Sequence, residues 1–326
     1  MIWAGVVLAM LVAACSPEAK PAADSGSAGA NSGRQDLRLV VLSPAIGVIA
    51  RDIGLEDAIV GRHDFDFVLA DSVPKVGDQT AIDYEALLAT RPTHVITQWG
   101  SRDLPPRLVD LADQRGFKLI DYELLTLDHI AEVADDLFLD FVQPPGRAGF
   151  QPGTSDDITP RFIDPAEAFG RALPSERMAR AWRQRGDGFA DLGRVLLLGS
   201  VDPPAVLGPG SFHHQVLVRI GGTPAVESGS PWMELDAEDV LRLAPDAVVL
   251  VAPRSMGANS PAAGAAMSSD DGAERLEARF GIIARLGVPA SSSGRLAVID
   301  DPLSLLPSTS MIRFADDLAA VLDGWR

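Results

Sequence analysis

Two short stretches of this 326-residue chain place a carboxylate at the same point of the same pattern. The stretches are DYEALLATRPTHVI (residues 83–96) and DAEDVLRLAPDAVV (residues 236–249), and five residue types coincide at equal offsets, 153 positions apart (236 − 83 = 153). Each stretch predicts a short helix, a break at Pro and the start of a strand. Glu85 and Glu238 fall in the first helical turn, where the helix dipole favours an acid. The repeat indicates that the chain contains two similar units.

A second group of residues with reactive side chains lies in GPGSFHH (residues 208–214). Its glycines permit close approach of the backbone, and Ser211 is predicted to cap a helix whose N-terminus could take an anionic group. His213 and His214 are adjacent and point in different directions on a helix, so they cannot easily face one metal together. One of them could be an axial ligand of a bound metal, or a residue of the helix surface or of a cleft. The sequence contains no HExxH motif, no CxxC pair and no EF-hand loop.

The N-terminus predicts export and lipidation. Residues 1–15, MIWAGVVLAMLVAAC, are apolar, too short for a stable membrane span, and end in small residues before Cys15. VAAC fits a lipobox, the site at which a bacterial lipoprotein is cleaved and its new N-terminal Cys is acylated. No Lys or Arg precedes the apolar run, and the alternative is a buried N-terminal strand or helix. Cys15 is the only cysteine, so the chain cannot form an internal disulfide, and we expect Cys15 to carry the lipid anchor.

Composition and charge limit the possible partners. Residues 16–35 are small and polar and predict a flexible tether. The formal net charge of −17 argues against binding to nucleic acid, whose phosphates need Lys and Arg, and against docking on anionic headgroups. We therefore expect attachment to a membrane only through the lipid on Cys15, in the periplasm or at the cell surface.

Strand and helix patterns alternate along the remaining chain, which predicts an α/β protein of βα units with parallel sheets. DLRLVVL, THVITQW and FKLIDY are predicted strands of a first lobe, and RVLLLGS, PDAVVLVAP and RLAVID are predicted strands of a second lobe. The expected divisions are an N-terminal lobe over residues 36–163 with a loop insertion at 143–163, a connecting helix over 164–192, and a C-terminal lobe over 193–326.

Four segments in this order resemble one known family: RLVVLSPAIGVIARDIGLEDAIVG, VPKVGDQTAIDYEALLATRPTHVITQWG, GPGSFHHQVLVRIGG and PWMELDAEDVLRLAPDAVVL. The resemblance extends over residues 36–326. It is to the periplasmic and lipoprotein substrate-binding proteins of ABC importers for vitamin B12, ferric siderophores and haem, the type III or helical-backbone binding proteins. It implies two α/β lobes joined by one long helix, a ligand cleft between the lobes, and binding without catalysis. The cobalamin-binding members resemble the chain most, because QWG and PWMELDAEDVL place Trp where those proteins use aromatic residues.

The resemblance implies a docking role for the two repeated glutamates. In this family one acidic residue on each lobe forms a salt bridge with Arg pockets on the two membrane subunits of the importer, and Glu85 and Glu238 match those positions. Two carboxylates a fixed distance apart orient docking on a dimeric permease more than they add affinity. The simpler alternative is that both are first-turn acids favoured by the helix dipole, with Asp83 and Asp236 as N-caps.

Ligand contacts are expected beyond the carboxyl ends of the strands, as in other open α/β lobes. Trp99 is the leading candidate, because a flat amphipathic ring on a strand-end loop can pack against a corrin or porphyrin; the alternative is partial burial in the core. Trp232 is the matching aromatic residue of the other lobe. Phe65 falls where relatives often place an aromatic residue; the alternative is a loop residue folded onto its own lobe. The full set of predicted ligand contacts is Ser43, Pro44, Phe65, Trp99, Gly100, Ser101, Ser211, Phe212, His213 and Trp232.

The ligand expected from these residues is a cobalamin-like corrinoid. Relatives often carry a Pro-Arg pair before the last helix, whereas here Ser308 follows Pro307, and Arg102 is the main Arg near the expected cleft. A cleft poor in Arg disfavours anionic siderophores. Haem or a ferric siderophore is the alternative ligand. The alternative functions are a tethered protein that has the fold without transport and, less favoured, a chelatase-like enzyme. We expect no intrinsic cofactor, no metal site, and a monomer that delivers its ligand to the permease dimer of an importer.

Overall fold

The computed structural model describes residues 37–100, 102–142, 172–254 and 278–326. Within these ranges the chain forms two sheets with helices packed against them, which confirms the predicted α/β class. No helix in the described ranges is long and apolar enough to cross a membrane. Several predicted features lie outside the described residues: the signal peptide at 1–15 with Cys15, the tether at 16–35, Ser101, and the insertion at 143–163.

The N-terminal lobe is built on a parallel sheet of four strands. Its elements are β1 (Leu39–Leu42), α1 (Pro44–Asp52), a 3₁₀ helix (Glu56–Ala58), β2 (Ile59–Arg62), α2 (Tyr84–Ala89), β3 (His94–Thr97), α3 (Pro106–Arg115), β4 (Lys118–Asp121) and α4 (Leu127–Leu137), which continues as a π-helix (Phe138–Val142). The strands pair in the order β2-β1-β3-β4. The sequence of β1, LVVL, is apolar throughout and fully buried, as expected for a central parallel strand covered on both faces.

The C-terminal lobe contains a mixed sheet. Its elements are α5 (Pro174–Ala181), a 3₁₀ helix (Ala190–Leu192), β5 (Arg194–Val201), β6 (Pro204–Leu207), α6 (Phe212–Arg219), β7 (Thr223–Pro224), β8 (Trp232–Glu234), α7 (Ala237–Leu243), β9 (Ala247–Val251), a 3₁₀ helix (Gly281–Arg285), α8 (Pro289–Ser292), β10 (Leu296–Ile299) and α9 (Met311–Asp323). The strand order is β10-β9-β5-β6-β8, and β7 pairs with β5.

This sheet corrects the expectation of parallel sheets in both lobes. Strands β5, β9 and β10 are parallel, but β6 runs antiparallel to β5 and to β8. The reason is the two-residue connection between Val201 and Pro204, which can join only antiparallel strands, because a parallel crossover needs a dozen or more residues.

The connecting segment is also less helical than predicted. The helix expected over residues 164–192 is observed as α5, Pro174–Ala181, and residues 164–171 lie outside the described ranges. Beyond Ala181 the chain turns, with φ of 56° at Gly186 and 76° at Gly188. A right-handed helix cannot contain these left-handed conformations, so the helix ends before them.

One apolar cluster joins the two lobes. Helices α1, α4, α5, α6 and α9 form a layer in which α5 packs against α4 and α9, and α6 packs against α4 and α9. This interlobe layer also packs on β1 and β3 of one sheet and on β5 and β9 of the other. Its fully buried members include Ile46, Ile130, Met178, Val216 and Phe314. Separating the lobes would expose these side chains to water, so the layer holds the two sheets together.

The repeated sequence stretches form the same local structure in both lobes. Asp83 caps α2, and its Oδ1 accepts hydrogen bonds from the backbone N–H of Glu85 (3.0 Å) and Ala86 (2.9 Å). Asp236 caps α7, and its Oδ1 accepts from the N–H of Asp239 (2.7 Å). The predicted N-caps are therefore confirmed.

The equivalence continues beyond the helices. Arg91 (φ 48°) and Ala244 (φ 41°) are the two non-glycine residues with positive φ in the described part of the chain, and they too are 153 positions apart. Each precedes a Pro, which disfavours a continued right-handed helix. Two positions later, a side-chain oxygen in each lobe accepts a hydrogen bond from the backbone at the start of the lobe's first strand. Thr93 Oγ1 accepts from the N–H of Arg38, just before β1 (3.0 Å). Asp246 Oδ2 accepts from the N–H of Arg194, the first residue of β5 (2.7 Å). The two lobes thus share a helix–corner–strand unit in three dimensions.

Candidate functional site

The repeated acids lie at the carboxyl edge of the two sheets, the edge at which the parallel strands end. In a βα unit the helix runs antiparallel to its strands, so the N-termini of α2 and α7 lie at this edge. Glu85 and Glu238 are exposed in the first turns of these helices. Among the described residues neither carboxylate forms an ion pair, so both are available to a cationic partner.

Each lobe also presents an exposed aromatic side chain near this edge. Phe65 follows β2 by three residues and is 70% exposed. Trp232 begins β8 and is 51% exposed. Large aromatic side chains are normally buried, so two of them exposed near the strand ends are candidates for contact with an apolar ring.

The Trp232 indole lies directly over the backbone of β5 at Gly199. A Cβ atom at Gly199 would lie 2.5 Å from Cζ3 and 2.9 Å from Cη2 of the indole, closer than any real contact. Only glycine therefore allows the ring to rest on the strand at this point. Gly199 was not among the predicted site residues. Its signal in the sequence is a glycine inside the apolar strand RVLLLGS, a pattern that indicates close approach of another group.

The same contact indicates which face of the sheet carries the indole. A Cβ atom at Gly199 would also lie 3.2 Å from Cδ2 of Leu207. Leu207 belongs to the interlobe cluster, whereas Leu196 and Leu198 pack in the separate core on the opposite face of this sheet. The Trp232 ring therefore lies on the face that is directed toward the other lobe.

Trp99, the leading predicted ligand contact, is a core residue. It is 8% exposed and packs in the outer core of the N-terminal lobe with Leu87, Leu108 and Phe117. Its backbone N–H donates to Asp121 Oδ1 (2.8 Å), which fixes the loop after β3. The structure thus favours the alternative of core burial, because α2 and α3 cover this side of the sheet.

Other predicted contacts of the N-terminal lobe have structural roles. Ser43 is fully buried, its Oγ accepts from the N–H of Ile46 (3.2 Å) to cap α1, and it donates to Gln98 Oε1 (2.6 Å). Pro44 is the first residue of α1. Gly100 has a φ of 61°, which a side chain would strain. The Ser43 hydroxyl therefore donates and accepts within the protein, and its full burial keeps it out of contact with a ligand.

The predicted contacts at the start of α6 are largely internal. Ser211 caps this helix by accepting from the N–H of His214 (3.1 Å), and Phe212 packs against the interlobe cluster. His213 is 2% exposed, and its Nε2 lies 2.6 Å from the carbonyl oxygen of Ser304. Burial lowers the pKa of His213 to about 4, although the Ser304 carbonyl favours the charged form.

These contacts contradict a ligand-binding or metal-coordinating role for His213. At neutral pH the ring is uncharged, Nε2 donates to the carbonyl, and the ring packs edge-on against Phe314 with centroids 4.9 Å apart. His213 is a hydrogen-bonded core residue. Within the described ranges no three His, Cys, Asp or Glu side chains are grouped to hold a metal ion.

A cavity of about 670 Å³ lies between the C-terminal end of α1, the start of α5 and the segment that leads into α9. Its walls include the charged residues Arg51, Asp52, Arg177 and Arg313. No described residue of the predicted ligand-contact set lines it. The sequence could not indicate this cavity, because its walls come from segments more than 100 residues apart that the interlobe layer brings together.

Comparison with known proteins shows the fold. No family model matches the chain, and no curated protein is significantly similar to it in sequence. Among solved structures, the periplasmic heme binding protein HutB of Vibrio cholerae matches with a TM-score of 0.60 at 16% identity, over 88% of this chain and 98% of that chain. The periplasmic vitamin B12 binding protein BtuF of Vibrio cholerae matches with a TM-score of 0.56 at 17% identity, over 88% and 97%. IsdE of S. aureus, complexed with heme, matches with a TM-score of 0.54 at 15% identity, over 88% and 99%. The chain therefore has the two-lobe fold of these periplasmic binding proteins along its described length.

Proposed function

We propose that this protein is the solute-binding component of an ABC importer and captures a cobalamin-like corrinoid, with haem or a ferric siderophore as the alternative ligand. The proposal is supported by a shared fold, since the solved structures that match over most of the chain include vitamin B12 and heme binding proteins. The observation that carries it is the pair of exposed aromatic side chains, Phe65 and Trp232, one on each lobe near the strand ends.

A planar tetrapyrrole suits the chemistry of these two side chains. The indole of Trp232 has one face on the Gly199 backbone and is half exposed on the side of the sheet directed at the other lobe. An offset-stacked conjugated ring would cover its open face and remove apolar surface from water. Phe65 sits on a loop of the opposite lobe, and we propose that it contacts the same ligand.

Delivery is proposed to use the repeated acids. Glu85 and Glu238 would form salt bridges with basic pockets on the two membrane subunits of the permease, and Cys15 would carry the lipid that keeps the protein in the periplasm or at the cell surface. Charge pairs of this kind steer and orient a complex, and they weaken as salt rises. Capture and release involve no covalent change, so the proposed task requires no catalytic residue.

The proposal is tested by titrating the purified protein with cyanocobalamin, haemin and ferric siderophores by isothermal titration calorimetry. We expect micromolar or tighter binding of the corrinoid, or of one alternative ligand. Trp232→Ala and Phe65→Ala should each weaken that binding, because each removes an aromatic face from the ligand.

The matched control is Val109→Ala, which truncates an exposed apolar side chain on α3. It should bind like the natural protein. Failure of all three ligand classes to bind at micromolar concentration would refute the importer function. Equal losses in Val109→Ala and Trp232→Ala would instead show that the aromatic residues do not form the site.

A further inference from the structure

The cavity beside α1 is built from three separate parts of the chain. Arg51 and Asp52 come from the last turn of α1, Arg177 from α5, and Arg313 from the first turn of α9. The N-terminal lobe, the connecting segment and the C-terminal lobe each contribute one guanidinium. A volume of about 670 Å³ is within the range of small-molecule sites, which is roughly 300–1,000 Å³.

The acids in the walls are already paired within the protein. Asp52 accepts from Arg51 Nη2 (2.8 Å) and from the hydroxyl of Thr309 (2.6 Å). Asp301 accepts from Arg313 Nη1 (2.9 Å) and from the N–H of Leu303 (2.8 Å). The third acid, Asp316, pairs with Arg185, which does not line the cavity.

Several Arg side chains in the walls, by contrast, have N–H donors without a described partner. Arg177 is exposed, and its side chain has no hydrogen-bond or ion-pair partner in the described part of the chain. Arg180 is in the same situation and lines an adjoining cavity of about 600 Å³, which shares Arg51, Asp52 and Arg177 with the first. Arg313 keeps its Nε and Nη2 donors free of described partners. The three guanidinium groups of the first cavity are matched in number by its three carboxylates, but Asp316 pairs with Arg185 outside the lining. Arg177 is therefore the lining guanidinium without a described partner, and Arg180 adds a second one beside it.

We propose that this interlobe cavity is a binding site for a small organic anion that carries a carboxylate or phosphate group. Arg177 supplies the uncompensated charge and a planar fork of donors that matches either group. Arg51 and Arg313, each fixed by its own aspartate, present their remaining donors from the two lobes. Ile53 and Leu303 line the same cavity and accept the apolar part of the molecule.

The site is distinct from the aromatic pair proposed above for the tetrapyrrole. None of Phe65, Gly199 and Trp232 lines the cavity, although Val68, three residues after Phe65, does. An anion held there contacts both lobes, and binding to the folded state alone raises the temperature of unfolding.

The test uses citrate as the carboxylate probe and inorganic phosphate as the phosphate probe, titrated by calorimetry at ionic strength held constant with sodium chloride. We expect saturable binding of at least one of them, accompanied by a concentration-dependent rise in the unfolding temperature. Arg177→Gln should weaken it about tenfold or more, because it removes a charge-assisted hydrogen bond. The affinity of Arg177→Lys for the probe should lie between those of the natural protein and of Arg177→Gln, since Lys keeps the charge and lacks the planar fork of donors.

The control variant is Arg115→Gln, which removes an exposed Arg without a described partner from the last turn of α3, far along the chain from the cavity. It should bind the probes like the natural protein. The proposal is overturned if neither probe binds saturably at concentrations up to about 10 mM. It is equally overturned if Arg177→Gln weakens binding no more than Arg115→Gln does. Titration of the same preparations with cyanocobalamin and haemin tests the importer function separately.

Discussion

Replacing Gly199 by Ala tests whether the Trp232 indole rests on the backbone of β5. The added Cβ would lie 2.5 Å from Cζ3 of Trp232, whereas carbon atoms in contact are about 3.5–4.0 Å apart, so the ring must move by about 1 Å or swing into solvent. Because Trp232 is half exposed, the ring can move outward without overpacking a core. We therefore expect a small change in the unfolding temperature, within about 3 °C.

The effect on ligand binding should be larger than the effect on stability. A stacked aromatic pair contributes about 0.5–1.5 kcal/mol beyond area burial, which corresponds to roughly a 2- to 12-fold change in the dissociation constant. We expect Gly199→Ala to weaken binding of the corrinoid or haem within this range. It should also increase the quenching of tryptophan fluorescence by acrylamide, because the indole loses the cover of β5.

A double-mutant cycle with Trp232→Ala identifies the cause. In the Trp232→Ala background, Gly199→Ala should have no further effect on affinity, since the ring it displaces is absent. An equal loss of affinity in both backgrounds would mean that Gly199 acts on another group. Unchanged affinity and unchanged quenching in the single variant would refute the placement of the indole on β5.

Two further predictions follow from the acids and from the buried histidine. Glu85→Ala and Glu238→Ala should leave ligand affinity unchanged and reduce uptake by cells, with the double variant the most impaired; loss of ligand affinity instead would show that they are not docking residues. For His213, burial lowers the folded-state pKa from 6.5 to about 4, so the unfolded chain binds the additional proton first as pH falls. Stability from this residue should be complete above pH 6.5 and fall by about 3 kcal/mol as pH drops to 4. Denaturant unfolding of His213→Gln should show a shallower pH dependence over this interval, and an unchanged slope would show that His213 does not titrate as its burial requires.

Features determined by neighbouring residues could be predicted from the sequence. Asp83 and Asp236 were expected to cap helices from their position before an amphipathic run, and both do so. The breaks at Pro92 and Pro245 were expected for the same reason, since proline constrains the residue before it. Each of these effects operates within one helical turn, so a single sequence contains the information.

The burial of individual aromatic residues could not be predicted in the same way. Trp99 and Trp232 both follow or begin a strand in the sequence, yet one is 8% exposed and the other 51% exposed. The difference depends on tertiary contacts: α2 and α3 cover Trp99, whereas Trp232 rests on Gly199 of a strand 33 positions earlier (232 − 199 = 33). The burial of His213 is not evident from the sequence for a related reason, because it depends on Ser304 and Phe314 near the end of the chain.

The positions of the arginine residues in the folded chain differ from what their spacing in the sequence indicates. The expected cleft near Pro307 and Arg102 is poor in Arg, a pattern that in the sequence favours a corrinoid over an anionic siderophore. The folded chain instead gathers Arg51, Arg177 and Arg313 around one cavity in the interlobe layer. The acids Glu85 and Glu238 remain exposed at the carboxyl edge. Asp52, Asp301 and Asp316 line the same cavity, so its three guanidinium groups lie beside three carboxylates. Haem adds anionic side groups to a flat apolar ring, so salt should weaken its binding wherever those groups meet a guanidinium. A neutral corrinoid would depend on the aromatic residues alone, so comparing the salt dependence of haemin and cyanocobalamin binding separates the two contributions.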